Sequence, residues 1–192
     1  MAITEPIRSK HQVKELSSFY LCRGQLRNHV LIVLGIHTAL RISDLLRLRM
    51  NDVFDFSRRR VRPSISITEK KTGKHKIVAL NKNAVRALSY YISNKNPGKE
   101  DFLFESRWTK KAISRIQAYR IIRAATEALK WQHHASCHSL RKTFGYHSWK
   151  SGISPAVIME IYNHSSFAVT KRYLGISQDD KNKAYLSLAL PF

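Results

Sequence analysis

The chain has 192 residues, room for one well-cored domain and too little for a second large one. Its 34 Lys and Arg outnumber 13 Asp and Glu, and a net charge of +21 exceeds what solubility needs and points to a polyanionic partner, nucleic acid first. An anionic membrane surface is the competing reading, but the longest apolar run, Val30 to Leu34, is far short of the roughly 20 residues of a spanning helix. Met1 to Lys10 lacks the apolar core of a secretory signal, and two cysteines, Cys22 and Cys137, offer one disulfide at most. Both features fit a reduced cytoplasm.

In chain order, Ser9 to Cys22 reads as a first helix, with Val13, Leu16, Phe19 and Tyr20 at helical spacing. Gln25 to Leu40 is a longer one, apolar nearly all round, and Ser43 and Asp44 open a short helix before Leu45, Leu46 and Leu48. From Arg60 to Leu80 the period changes to two, with Ile65 and Ile67 alternating with Ser64, Ser66 and Thr68, which predicts a β-hairpin with Gly73 in its turn. Lys82 to Ser93 is helical and stops before Asn96, Pro97 and Gly98. Lys110 to Lys130 is predicted as a strong amphipathic helix. Ile121, Ala124, Ala125, Ala128 and Leu129 form its inner face and Lys111, Arg115, Tyr119 and Arg123 its outer one. Shorter helices fit Ser139 to Ser151, Pro155 to Tyr162, Ala168 to Leu174 and Gln178 to Leu190. The expected fold class is mainly α with a small antiparallel β-sheet, without repeats or an internal linker.

Two strings carry chemistry. His138 stands three residues before Arg141 at a helix start, a spacing that aims both side chains at one spot and suits a phosphate. His164 follows, with Tyr173 nine residues on. Upstream, Arg41 sits directly after an apolar run, a poor place for a solvated charge, and Asp44 is one turn away, placed to hold it. Lys70, Lys71, Lys74 and Lys76 crowd one hairpin turn.

In their order and relative spacing, Arg41 with Asp44, Lys71 in Lys-Thr-Gly, His138 with Arg141, His164 and Tyr173 resemble the tyrosine recombinases, the phage-integrase family. The likeness spans nearly the whole chain. It implies a catalytic-domain fold and site-specific cutting and rejoining of double-stranded DNA through a 3′-phosphotyrosine. Tyr173 would be the nucleophile, Arg41 and Arg141 the phosphate clamp, His138 and His164 donors or acid/base groups, and Lys71 the acid for the leaving oxygen, with Lys74 the alternative. Two positions depart from the family: Asn163 stands where Gly is usual before the His, and Lys142 where many relatives have His. Asn tolerates the positive φ that Gly there implies.

The resemblance further implies a single catalytic domain over residues 1–192, since only 40 residues precede Arg41 and leave no room for the additional N-terminal core-binding domain. It fits short members such as the fimbrial-switch invertases, or a catalytic fragment of a longer integrase. Four protomers would assemble for strand exchange, in the cytoplasm and associated with the nucleoid. The last helix, with Ala184, Leu188, Leu190 and Phe192, would cover its own core or dock on a neighbouring protomer. Competing functions are type IB topoisomerase-like relaxation and a DNA-binding regulator derived from an integrase that does not cut.

His133, His134, Cys137 and His138 resemble a zinc cluster, but structural zinc draws ligand pairs from two separated segments and no second Cys/His pair is evident. No metal and no cofactor is expected. Arg58, Arg59, Arg60 and Arg62, the hairpin lysines including Lys74, and the Lys111, Arg115 and Arg123 stripe are expected to position DNA. If these groups neutralise about six phosphates, the logarithm of the DNA-binding constant falls against log salt with a slope near −5. Titrations at several salt concentrations measure it, and a slope near zero would exclude the electrostatic reading.

Overall fold

Placement begins with α2. The computed structural model describes residues 4–132, 134–176 and 178–187. Helix α1 spans Lys10–Phe19, and α2, Leu26–His37, is buried without interruption from His29 to Ile36. A helix apolar all round must lie in the middle of a molecule, and α2 packs against α1, against α5 (Lys82–Lys95) and against α7 (Cys137–Lys150). Gly35 allows the α2–α7 approach, because a Cβ there would lie 2.6 Å from Leu140 Cδ1. That approach brings the residues after α2, including Arg41, beside Arg141 on α7.

Two one-turn helices follow, α3 (Ile42–Leu45) and α4 (Met50–Val53). The predicted β-region divides into two two-stranded antiparallel sheets. Strand β1 (Phe54–Asp55) pairs with β2 (Arg60–Val61), and β3 (Ser64–Thr68) with β4 (His75–Ala79). The second hairpin aligns Ile65 with Val78 and Ile67 with Lys76, and Gly73 takes φ +67° in its turn, as the sequence predicts. Arg60 and Val61 belong instead to the first hairpin, because Pro63 separates them from β3 and removes a ladder donor.

Helix α6 is Arg115–Ala128, shorter than predicted. Ser114 caps it by accepting from the Gln117 N–H, and Lys111 falls in the loop before it, so the outer stripe loses that residue. Its buried face is Ala118, Ile121, Ile122, Ala125 and Thr126, while Ala124 and Ala128 are exposed. Alanine gains little from burial and therefore could not fix the helical phase.

The chain closes with α8 (Pro155–Tyr162), α9 (Phe167–Leu174) and α10 (Gln178–Leu186). Helices α7, α8 and α9 pack on one another around a second small core of Ala39, Ile158, Tyr162 and Leu174. Leu188, Leu190 and Phe192 lie outside the described residues, as does the side chain of Ala184. The architecture is mainly helical with small antiparallel sheets, as expected. No helix among the described residues is long and apolar enough to cross a membrane. At the N-terminal side, Ile7 is buried, its N–H donates to Thr143 Oγ1 (2.9 Å), and its carbonyl accepts from His147 Nε2 (3.0 Å), which ties residues 4–8 to α7.

Tyr162 is the largest fully buried side chain, and its hydroxyl donates to the Arg141 carbonyl at 2.6 Å. Gly145 makes room for it, since a Cβ there would lie 2.5 Å from the hydroxyl oxygen. Gly145→Ala is expected to lower stability by about 1–3 kcal/mol through overpacking, despite its better helix propensity. Denaturant titration measures this, and a stabilised variant would contradict the packing described.

Candidate active site

The site is assembled at three chain turns and two helices. Ser136 accepts hydrogen bonds from the N–H groups of His138 (3.2 Å) and Ser139 (3.3 Å), and Ser139 Oγ accepts from the Ser136 N–H, a reciprocal cap that fixes the start of α7. His138 therefore lies on the first turn and Arg141 one turn on, as the spacing predicts. Arg141 is only 2% exposed. Its guanidinium donates to the carbonyls of Ala39 and, at 3.1 Å, Tyr162, and its Nε has no partner among the described residues.

Arg41 donates to the same Tyr162 carbonyl, at 3.3 Å. That oxygen is one of the carbonyls a helix leaves unpaired at its C-terminus, and here two guanidiniums meet on it. Asn163 ends α8 in the left-handed region (φ +53°, ψ +45°), so the turn expected of a glycine forms with asparagine. His164 follows, its N–H donating to the Met159 carbonyl and its Nδ1 within 3.0 Å of Thr170 Oγ1.

Tyr173, half-buried on α9, stands between the imidazoles. Its ring centroid lies 4.9 Å from that of His138, 4.5 Å from His164 and 5.0 Å from Tyr162. Lys142 turns towards the N-terminal stretch: its ammonium lies 5.5 Å from the Tyr173 ring centroid and donates to the Thr4 carbonyl. A groove of about 1180 Å³ is lined by Arg41, Lys71, His138, Arg141 and Tyr173, with Arg115 and Tyr119 of α6 along its edge. Five of the six expected catalytic residues thus share one groove. The sixth, His164, lies outside that lining, against the Tyr173 ring.

Asp44 does not hold Arg41. Arg41 caps α3 with extended backbone, so its side chain leaves the face that an i,i+3 partner would share. Asp44 Oδ1 instead accepts from the Lys70 N–H at 2.8 Å, fixing the hairpin turn. The carboxylate at Arg41 is Glu69, with Oε2 2.7 Å from Nη1 and a side chain wholly out of solvent. Glu69 also accepts from Thr72 Oγ1 (2.8 Å) and Asn163 Nδ2 (3.0 Å). Burial pushes its pKa up, but the hydrogen bonds from Thr72, Asn163 and Arg41 outweigh that and hold it at about 2. Sequence reading missed Glu69, yet it continues the inward phase of Ile65 and Ile67.

Lys76, expected only as one of the hairpin lysines that position DNA, is turned inward. It shares the inward face of β4 with Val78 and donates to the Ile161 carbonyl. Burial first, then Arg141, lowers its pKa to about 8.

Of the residues expected to position DNA, Arg115 lines the active groove and Lys111 lies on the loop before α6. Lys74 is exposed near the turn, outside the groove lining. Arg58, Arg59 and Arg60 are exposed around the β1–β2 turn and line other clefts. Arg123 is engaged with Glu127 at 2.6 Å. His133 lies outside the described residues, and among the described residues no three His, Cys, Asp or Glu side chains are placed to hold a metal ion.

This combination of helical core, hairpin and phenol–imidazole–guanidinium groove defines the catalytic domain of a tyrosine recombinase. The phage integrase family model matches residues 9–179, and the chain belongs to that family. It is 37% identical over 185 residues to the probable integrase/recombinase YoeC of Bacillus subtilis (strain 168), covering 96% of this chain and 97% of that protein. It is 30% identical over 156 residues to a tyrosine recombinase of Pseudothermotoga lettingae, covering 81% of this chain but 51% of that protein, so it spans about half the length of such relatives. The fold matches the XerA recombinase with a TM-score of 0.79 at 22% identity, covering all of this chain and 68% of that one. It also matches XerH bound to palindromic difH substrate in a post-cleavage complex, with a TM-score of 0.74 at 17% identity over 97% of this chain and 54% of that one.

Burial is the largest cause that depresses both imidazoles to about 4. Lys142, Arg141 and Arg41 add to it at His138, and Arg141, Arg41, His138 and Arg172 at His164. Both are therefore neutral at pH 7. A folded-state pKa below the ordinary 6.5 means the unfolded chain binds more protons, so this stability is present above pH 6.5 and is lost as pH falls towards about 4. His29, His37 and His147, also depressed, add to the same limb. Denaturant titrations between pH 7 and 4 should show a shallower loss in His138→Gln/His164→Gln, and an unaltered slope would refute the assignment.

Proposed function

We propose that the chain is a site-specific recombinase that breaks and rejoins double-stranded DNA through a 3′-phosphotyrosine at Tyr173. The observation that carries this reading is the gathering of one phenol, one imidazole and two guanidiniums at a single groove of a basic protein, with a second imidazole, His164, against the phenol ring.

A phenol with pKa near 10 is protonated at neutral pH and a phosphodiester repels nucleophiles, so catalysis must come from the surroundings. Arg41 and Arg141 bind the non-bridging oxygens and hold the charge that grows on phosphorus. Their cationic forks do not need to be assembled on binding, because Glu69 and the Tyr162 carbonyl already orient them. Tyr173 Oη attacks phosphorus, its proton passing to a neutral imidazole, His138 or His164. The P–O5′ bond breaks, and the Lys71 ammonium gives its proton to the departing 5′ oxygen. A 5′ hydroxyl from another strand attacks the phosphotyrosine and restores the diester, so the bond energy is conserved without ATP. The guanidiniums and the ammonium supply the electrophilic assistance that a metal would otherwise give.

Strand exchange between two sites on this scheme takes four protomers, and the working location is the nucleoid. Arg115, Lys111 and the hairpin lysines position the duplex beside the groove.

The test uses nicked suicide duplexes recovered from a randomised library by binding. The wild type should form a denaturant-resistant protein–DNA adduct, with or without EDTA. Tyr173→Phe should bind and form none, and Arg41→Ala and Arg141→Ala should each slow adduct formation by about 100-fold or more. An adduct that persists in Tyr173→Phe, or none with the wild type on a duplex it binds, would overturn the reading.

A further inference from the structure

The loop between α5 and α6 holds an indole in solvent. Trp108 is 94% exposed, the most exposed of the large apolar side chains among the described residues. An indole buries on the order of 150–250 Å² when it packs, and here that area is left in water. The loop is nevertheless firmly built. Glu105 and Ala112 bridge its base, the Ser106 N–H donates to the Lys111 carbonyl at 2.8 Å, and the Lys110 N–H donates to the Ser106 carbonyl at 3.2 Å. Lys110 takes a left-handed φ of +56° to close the turn, and the Arg27 guanidinium anchors the base by donating to the Glu105 carbonyl at 2.7 Å. The fold thus commits backbone hydrogen bonds and a strained residue to presenting Trp108 outward.

Its neighbours say to what. Arg107 and Lys111 are exposed on the same loop. Lys110 reaches Glu105 at 3.4 Å yet keeps most of its side chain in solvent. The cleft lined by Arg107, Trp108, Thr109 and Gln117 includes Ser114, the cap of α6, and Ser114 also lines the active groove. From the reacting groups, the surface therefore runs over the first turn of α6, past Arg115, to the indole. An apolar ring flanked by cations suits a DNA groove, with phosphates on the cations and the ring against base edges or wedged between base steps.

We propose that the Trp108 loop is a second DNA-binding element, in which Arg107 and Lys111 hold phosphates to either side while the indole packs against bases a few steps from the cut. This rests on the recombinase reading above and adds to it an interaction that senses base identity or deformability outside the scissile position.

The experiment titrates the selected duplex with wild type, Trp108→Ala, Trp108→Phe and Arg107→Ala/Lys111→Ala. Trp108→Ala should weaken binding by about 5- to 100-fold with an unchanged salt slope, because the indole neutralises no phosphate, and Trp108→Phe should recover much of it. The double cation variant should lower the salt slope by about 1 for each phosphate left without its cation. Melting temperature should not move in Trp108→Ala, and at saturating protein its Tyr173 adduct should still form. Equal affinity of Trp108→Ala and wild type would overturn the proposal, as would an effect confined to self-association in sedimentation. Absence of adduct in every protein, with the Trp108 effect on binding intact, would instead refute the recombinase reading alone.

Discussion

One carbonyl organises the site. The Tyr162 oxygen ends α8 without a helical partner, and both Arg41 and Arg141 donate to it. Like charges do not gather on one atom unless something holds them there. The holding groups are a carboxylate, Glu69, that pairs with Arg41 from within the protein, and the Ala39 carbonyl, which takes the second branch of Arg141. The packing of α2 against α7 and the fully buried Tyr162 ring make those positions rigid. The groove thus presents two cations whose desolvation and orientation were settled during folding, the arrangement in which stabilisation of negative charge is strongest.

Glu69 extends the same constraint to two turns. Its Oε2 alone ties the α3 start through Arg41, the hairpin turn through Thr72, and the α8–α9 turn through Asn163. Lys76 adds a tie from β4 to the Ile161 carbonyl. The lysine-bearing turn and the histidine-bearing turn are therefore parts of one hydrogen-bonded unit. Asparagine at the turn before His164 fits this arrangement in two ways: it tolerates the left-handed backbone, and it brings an amide that glycine lacks to the buried carboxylate.

Much of this was legible in the chain. Apolar periodicity gave α2 its burial and β3–β4 its alternation and turn, and the His138–Arg141 spacing read correctly as two side chains on one helix start. The failures have physical reasons. Alanines at 124 and 128 do not discriminate inside from outside, so the phase of α6 was misread. Asp44 was paired with Arg41 by helical spacing, although Arg41 precedes the helix and points elsewhere. Glu69 went unnoticed and Lys76 was placed at the surface because charged residues in and beside strands are read as solvent-facing, while their phase with Ile65 and Val78 marked them as inward. Long-range partners such as Tyr162 and Arg41, 121 residues apart, follow only from the packed fold.

The short stretch before α1 has a mechanical meaning. Ile7 is clamped by Thr143 and His147, and Lys142 reaches back to Thr4, so residues 4–8 grip the helix that bears His138 and Arg141. Pro6 meanwhile lies close to Gly175, just beyond the helix of Tyr173. A displacement of this stretch would therefore be felt first by the two helices that bear His138, Arg141 and Tyr173.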